Sequence, residues 1–600
     1  MKILLAAINA KYIHSNLAVY SLRAYARKYG KEADIAEYTI NQPLDEILMD
    51  IYTQRPDILC FSCYLWNISY VRLLLREIPK ILPDVEIWLG GPEVSYNARE
   101  LLGQYPCLAG VICGEGEETF LELMEYYHVR SETGAGRVPT VTGAALLDIR
   151  GIVCRGSDGS IMETAPRPAL DLSAVPFVYE DIGEFRNRIV YYESSRGCPF
   201  SCSYCLSSID KCLRFRDIRL VKKEIQFFID QKVPQVKFVD RTFNCRHEHA
   251  MEVWKYIKEH DKGVTNFHFE IGADLLNDEE ISLIRSMRPG LIQFEIGIQS
   301  ANRETICEIK RKMDLEKAER AVAQVRQSRN VHQHLDLIAG LPYEDYDSFA
   351  ESFDRVYAMK PDQLQLGFLK VLKGSLMHER TEEYGIVYQD RPPYEVLSTK
   401  WLSYADVIRL KKIEEMVEVY YNSGQFRHTV EQAEKEFPGA FAMYSALADY
   451  YERNALFGVS HSRIARYEHL FCFLEEHTGG RSDSTGAGQG DASAARSTKM
   501  AEYTQWLTVD LYLRDNVRNR PWFLPENKVS SDEAASFYRT EEEERRYLKD
   551  YAGYDRRQMR KMTHLERLFG RLILFDYRKR DPLNGDAKVY QIAEERKGTE

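Results

Sequence analysis

The chain has 600 residues, of which 44% are hydrophobic and 28% charged, ordinary usage for about four globular domains and not that of a disordered or fibrous chain. Its 80 Lys plus Arg against 91 Asp plus Glu leave a net charge of −11, which disfavours sequence-independent binding to nucleic acid. Twelve cysteines are too few for a disulfide scaffold, and no apolar run approaches the ~18 residues of a membrane span, so the expectation is a soluble cytoplasmic protein with reduced thiols.

Residues 1–130 alternate short apolar runs (Ile3–Ala7, Ile35–Tyr38, Ile58–Ser62, Ile87–Leu89 and Gly110–Cys113) with helical patterns such as Val71-Leu74-Leu75-Ile78. Continuous apolar strands between amphipathic helices predict an α/β, doubly wound parallel sheet of the Rossmann-like kind, with ligands at the strand carboxyl ends. Residues 131–187 carry Gly134, Gly136, Pro139, Pro166, Pro168 and Pro176 and read as a linker with a small hairpin at Gly156-Ser157-Asp158-Gly159. A second series begins at Ile189. Strand candidates Ile189–Glu193, Gln235–Val239, Phe267–Ile271, Leu291–Gly297, His334–Ile338 and Leu364–Leu369, most followed by helical patterns, predict a partial TIM-type (β/α)6 barrel over 188–375. Residues 376–600 read as a mostly α-helical domain, with a flexible Gly/Ser/Ala-rich loop at 478–497.

The strongest chemical signal is Arg196-Gly197-Cys198-Pro199-Phe200-Ser201-Cys202-Ser203-Tyr204-Cys205. Three thiolates spaced C-x-x-x-C-x-x-C on a loop after a strand can hold three irons of a four-iron cube and leave the fourth open for substrate chemistry. Structural zinc is the alternative. It wants four closed ligands, and Cys212 is the one spare thiol nearby, without the paired spacing of ordinary zinc sites. Cys60-Phe61-Ser62-Cys63 lies at a strand end and reads as a core thiol plus a loop residue, with Cys63-Tyr64-Leu65-Trp66 a candidate lining of the ligand crevice. Arg556-Arg557-Gln558-Met559-Arg560-Lys561 has acidic neighbours and reads as a solvated helix face.

On these residues the chain resembles the radical S-adenosylmethionine superfamily. The resemblance extends through Phe238-Val239-Asp240-Arg241-Thr242-Phe243-Asn244, Phe294-Glu295-Ile296-Gly297-Ile298-Gln299-Ser300 and Asp336-Leu337-Ile338-Ala339-Gly340-Leu341-Pro342. Upstream, Leu89-Gly90-Gly91-Pro92-Glu93 and Gly114-Glu115-Gly116-Glu117-Glu118 are similar to the cobalamin-binding class of that superfamily. Pro392-Pro393-Tyr394-Glu395-Val396-Leu397 and Tyr420-Tyr421-Asn422-Ser423 are similar to an uncharacterised C-terminal domain found in some members. The resemblance implies three cofactors: a 4Fe-4S cluster on Cys198, Cys202 and Cys205, S-adenosylmethionine and cobalamin. It implies that Tyr204 contacts the adenine, and that Glu270, Glu295 and Gln299, at barrel strand ends, receive ribose or methionine. Strand-end glycines let backbone approach a bulky ligand closely, so the corrin is expected near Tyr64, Trp66, Gly90, Gly91 and Gly114. No D-x-H-x-x-G occurs in residues 1–130, so no His anchor is expected from that motif; His14, on the loop after the first strand, reads as solvated.

The function so implied is a cobalamin-dependent methyltransferase acting on an unreactive carbon through a 5′-deoxyadenosyl radical and methylcobalamin. The substrate would be a small molecule or peptide, with an electron donor such as flavodoxin or ferredoxin. The alternatives are a non-methylating rearrangement or cyclisation enzyme, a methylthiolating RNA modifier (disfavoured by the acidic balance), and a non-catalytic cobalamin or redox sensor. Retention of all three cysteines argues against the sensor.

Overall fold

The computed structural model describes residues 1–132, 144–156, 158–480 and 489–593. They fold as two compact units, Met1–Phe349 with Gly367–Tyr404, and Ala350–Leu366 with Ala405–Glu600. No helix among the described residues is long and apolar enough to cross a membrane.

The first unit opens on five parallel strands, β1 (Ile3–Asn9), β2 (Asp34–Thr39), β3 (Ile58–Ser62), β4 (Glu86–Gly90) and β5 (Leu108–Ile112). Helices α1 (Leu17–Lys28), α2 (Leu44–Gln54), α3 (Ile68–Ile81), α4 (Ala98–Gln104) and α5 (Glu117–Glu132) alternate with them. Every residue of β1 is buried, as a strand covered on both faces requires. The segment read as a linker is more than that. Its β6 (Ile152–Arg155) and β7 (Ile161–Glu163) form the expected hairpin, and β6 pairs antiparallel with β5. The sheet therefore has seven strands in the order β2-β1-β3-β4-β5-β6-β7. The sequence concealed this because the pairing partner of β6 lies some 40 residues upstream. Ser157, one of the residues expected to turn, lies outside the described residues.

The barrel series follows as β8 (Val190–Tyr192), a short ladder of β9 (Ser195–Arg196) and β10 (Arg214–Phe215), then β11 (Gln235–Phe238), β12 (Asn266–Ile271), β13 (Ile292–Gln299), β14 (His332–Ala339) and β15 (Gln363–Phe368). All six predicted strands are present, in the sequential order β8-β11-β12-β13-β14-β15 of an opened barrel. Alternation sets the chemistry of its two faces. In β13, Ile292, Phe294, Ile296 and Ile298 are buried, whereas Gln293, Glu295, Gly297 and Gln299 line the other face. Parallel register then aligns Glu270 with Glu295, Glu295 with His334 and Gly297 with Asp336. A small antiparallel ladder of β16 (Val387–Tyr388) and β17 (Val396–Ser398) ends the unit.

The second unit is helical through Arg463–Gly480 and Gln489–Arg514, and then adds an antiparallel sheet, β18 (Thr563–Leu568), β19 (Arg571–Arg580) and β20 (Ala587–Ile592). The loop expected over 478–497 is shorter: residues 478–480 end one helix, 489–497 begin the next, and 481–488 lie outside the described residues. The alanines of Ala492-Ser493-Ala494-Ala495 are good helix formers, a preference outweighed in the sequence reading by the adjacent glycines. Arg556–Met562 is a short helix with only Met559 buried, the solvated face expected.

Candidate functional site

The cysteine loop leaves the end of β8 and is anchored on both sides. Gly197 has φ +93°, and a Cβ there would lie 2.6 Å from the Cys212 carbonyl oxygen, so only glycine fits the turn. The Cys198 N–H donates to Asp210 O at 3.2 Å, and the Ser203 N–H to Ile309 O at 2.9 Å. Behind the loop, the buried Asp240 carboxylate accepts from the Ser194 N–H (2.9 Å), the Ser194 hydroxyl (2.6 Å) and the Ser195 hydroxyl (2.7 Å). Cys198 and Cys202 are buried, Cys205 is half-buried, and all three are free thiols.

These cysteines open on a cavity of about 190 Å³ that also meets Tyr204, Glu270, Glu295 and Gln299. Every barrel residue singled out from the sequence thus borders one space. The cavity adds charged groups to which the sequence reading gave no role: Arg241, Arg311 and Asp336. Arg311 lies 3.8 Å from Cys202 Sγ and 3.5 Å from Tyr204 Oη, and donates to Gly297 O. Arg241 pairs with Glu270 at 2.9 Å. Glu295 meets Lys237 at 2.8 Å and His268 at 3.1 Å. Burial alone would raise the Glu295 carboxyl, but the adjacent His268 and the Lys237 charge outweigh it and hold the group well below the ordinary carboxylate range. Asp336 goes the other way: burial raises it, and His334 at 3.0 Å compensates only in part.

The donor set fits a cluster. Burial raises the Cys198 thiol, and the neighbouring Cys205 and Cys202 sulfurs oppose its ionisation further. Thiols so placed become thiolates when cationic iron sits among them, and Arg311 adds positive charge beside Cys202. Cys212, the fourth thiol that a closed zinc set would need, is exposed, whereas Cys198, Cys202 and Cys205 border the cavity.

At the carboxyl ends of the first sheet, the loops present apolar surface to solvent. Tyr12 and Ile13 follow β1, Trp66 follows β3 and Tyr96 follows β4, each more than 40% exposed. Tyr64 and Trp66 stack at 4.5 Å and 6°. Trp66 Nε1 donates to Ile8 O at 3.1 Å, and the fully buried Asn67 ties the same loop to Ile8 O and Ser62 O. A rigid, exposed aromatic shelf at strand ends suits a large flat ligand. The strand-end glycines divide. Gly114 has φ +81° and open space beside it, whereas a Cβ on Gly91 (φ +115°) would lie 2.5 Å from Cys63 O. Gly91 is thus required by the close approach of the Cys63 backbone. Gly90 has ordinary room, 3.7 Å from Ile112 Cβ. His14 is not simply solvated: its Nδ1 lies 2.6 Å from Tyr191 Oη, and burial, with Lys11 and Lys237 nearby, lowers its pKa. Cys60 is a buried core thiol, as expected, and Cys63, just past the end of β3, is buried as well.

Comparison with known proteins matches three segments to family models: B12 binding domain at residues 3–124, Radical SAM superfamily at 192–356, and Protein of unknown function (DUF4080) at 382–582. The cobalamin-dependent radical SAM methyltransferase TokK of Streptomyces tokunonensis is 24% identical over 401 residues, 62% of this chain and 56% of its own. The anaerobic magnesium-protoporphyrin IX monomethyl ester cyclase of Rubrivivax gelatinosus is 23% identical over 331 residues, 53% of this chain and 57% of its own. The chain thus spans about half the length of the curated relatives it matches. The solved structure of the cobalamin-dependent S-adenosylmethionine radical enzyme OxsB, with aqua-cobalamin and S-adenosylmethionine bound, shares the fold. Its TM-score is 0.55 at 15% identity, covering 85% of this chain and 80% of that one. The chain thus carries in series segments that match the B12 binding domain, the Radical SAM superfamily and DUF4080, the arrangement of an N-terminal cobalamin-binding domain ahead of a radical SAM domain.

Proposed function

We propose that the protein is a cobalamin-dependent radical S-adenosylmethionine methyltransferase that acts on an unreactive carbon of a small molecule or peptide in the cytoplasm. In this reading residues 1–130 bind cobalamin, 188–375 form the radical barrel, and flavodoxin or ferredoxin supplies electrons. The observation that carries it is the single cavity bordered by three cysteines, Tyr204, Glu270, Glu295 and Gln299, in a chain that also holds a B12 binding domain.

Cys198, Cys202 and Cys205 would hold the four-iron cluster. Tyr204 offers its ring to the adenine, and the ionised Glu295 and the Gln299 side chain offer acceptors to ribose hydroxyls or the methionine amino group. Arg311 offsets thiolate charge at Cys202. The corrin would lie over Tyr64, Trp66, Gly90 and Gly114, with Gly91 shaping the turn beneath it. When bound, the cluster supplies the electron that releases a 5′-deoxyadenosyl radical from S-adenosylmethionine, and cobalamin carries the methyl group.

A second reading, radical cyclisation without methylation, draws support from the cyclase relative, whose identity and coverage are close to those of TokK. Product counting separates the two. Small-molecule extracts of cells with and without the protein, compared for a difference of one methyl group, supply the substrate. Turnover of that substrate should then form S-adenosylhomocysteine and 5′-deoxyadenosine in equal amounts with product. Altered substrate with 5′-deoxyadenosine but no S-adenosylhomocysteine would replace the methyltransferase reading with the cyclase one.

A further inference from the structure

The glycine-rich segment after β5 uses its carboxylates within the protein. Glu117 Oε1 lies 2.8 Å from Arg196 Nη2, and Glu115 Oε1 lies 3.1 Å from Arg196 Nη1. On its other side Arg196 meets Glu193, with Nε at 3.0 Å and Nη2 at 2.8 Å. Arg214, directly opposite Arg196 in the β9–β10 ladder, reaches the same Glu115 at 2.8 Å and 3.0 Å. Glu115 also accepts the Leu170 N–H at 2.7 Å.

One carboxylate from the end of the first sheet therefore holds both strands of the ladder that frames the cysteine loop, and Arg196 stands two residues before Cys198. Glu117 is only 6% exposed, and the other three side chains are 21% exposed or less. Pairs so buried are screened far less than surface ion pairs, and an arginine fork shared among carboxylates fixes orientation as well as distance. The Glu115 carboxyl would be raised by burial, yet Arg214, the Leu170 amide and Arg196 hold it below its ordinary range.

We propose that Glu115 and Glu117 are positioning residues which, through Arg196 and Arg214, set the distance and orientation between the cluster and the corrin. The proposal rests on the cofactor reading given above. Two cofactors carried by two domains can act on one substrate only within a narrow range of separations, and a misplacement of about 1 Å can cost on the order of a hundredfold in rate.

The test uses the full chain, loaded anaerobically with iron, sulfide and hydroxocobalamin and then reduced. Electron–electron dipolar coupling between the cobalt(II) centre and the reduced cluster reports their separation without any substrate. Wild-type protein should give one narrow distance distribution. Glu115→Gln combined with Glu117→Gln should keep full iron and cobalamin content while the distribution at least doubles in width, and Glu117→Asp alone should stay close to wild type. If the double variant does not fold, Arg214→Gln, which leaves Arg196 paired, is read in the same way and should broaden the distribution by a smaller factor. A loaded variant with the wild-type distribution would overturn the proposal alone. Wild-type protein that takes up no cobalamin or no four-iron cluster would overturn the cofactor reading and the proposal with it.

Discussion

Asp240→Asn probes the support of the cysteine loop directly. The Asp240 side chain is wholly buried and accepts three hydrogen bonds from Ser194 and Ser195. Ser194 Oγ lies 2.9 Å from His249 Nε2, and burial, aided by Arg246, depresses His249 to about 4. His249 is therefore neutral at neutral pH and donates to Ser194, which donates onward to Asp240. Burial raises the Asp240 carboxyl to about 7 in spite of the hydrogen bonds it accepts. A folded pKa above the unfolded value means that the folded state holds the extra proton between pH ~4 and ~7. The associated stability is complete below the unfolded pKa and is lost as pH rises through the folded one. At about 1.4 kcal/mol per unit over roughly three units, wild-type protein should lose about 4 kcal/mol across that range relative to the non-titrating variant. The carboxamide introduced by Asp240→Asn can keep its oxygen on the Ser194 N–H and turn its NH2 to the serine hydroxyls, which then accept, so any cost of this re-pairing is independent of pH. Urea unfolding of both proteins from pH 5 to pH 8 is the assay: folded His249 is neutral throughout, and its titration in the unfolded state is common to both proteins and cancels in their difference. The wild-type advantage should shrink by about 3 kcal/mol between pH 5 and pH 7 and then level off. An advantage that stays constant with pH would refute the reasoning, because it would mean that Asp240 is ionised throughout.

Two further substitutions test other parts of the account. Gly91→Ala forces a Cβ to 2.5 Å from Cys63 O at φ +115°, and should destabilise the protein by about 2–4 kcal/mol in thermal melting; an unchanged melting temperature would contradict the packing role given to this glycine. Arg311→Met removes the positive charge 3.8 Å from Cys202 Sγ. The reduced cluster carries more negative charge, so its midpoint potential in a redox titration should fall, with about 59 mV corresponding to a tenfold weaker preference for the reduced form.

The fold was largely legible because its strands are written in continuous apolar runs and period-two alternation. Ile58–Ser62 is a strand with the predicted bounds, and all six barrel strands lie where the pattern placed them. The cysteines, Tyr204, Glu270 and Gln299 were legible through motif and strand-end position; Glu295, expected at a strand end, stands in the middle of Ile292–Gln299, and all of them border the cavity. Arg311 was not. It lies in Lys310-Arg311-Lys312, which reads locally as a solvated basic run, and only the fold turns its guanidinium toward Gly297 O and Cys202. Gly91 was legible as a required glycine, but its close approach to Cys63 O was not, because sequence shows that backbone must come close without showing to what. The carboxylates of Gly114-Glu115-Gly116-Glu117 were read with a ligand-binding turn, and their arginine partners stand some 80 to 100 residues further along the chain.

The central claim is that Cys198, Cys202 and Cys205 form a cluster-binding set that cleaves S-adenosylmethionine. Its most direct test is the iron content of anaerobically reconstituted protein, measured with 5′-deoxyadenosine formation after reduction, for wild type and for the variant with all three cysteines replaced by Ala. The account predicts four irons per wild-type chain and 5′-deoxyadenosine on reduction, with both lost in the triple variant while visible absorbance still reports bound cobalamin. A triple variant that retains its four irons would contradict the account.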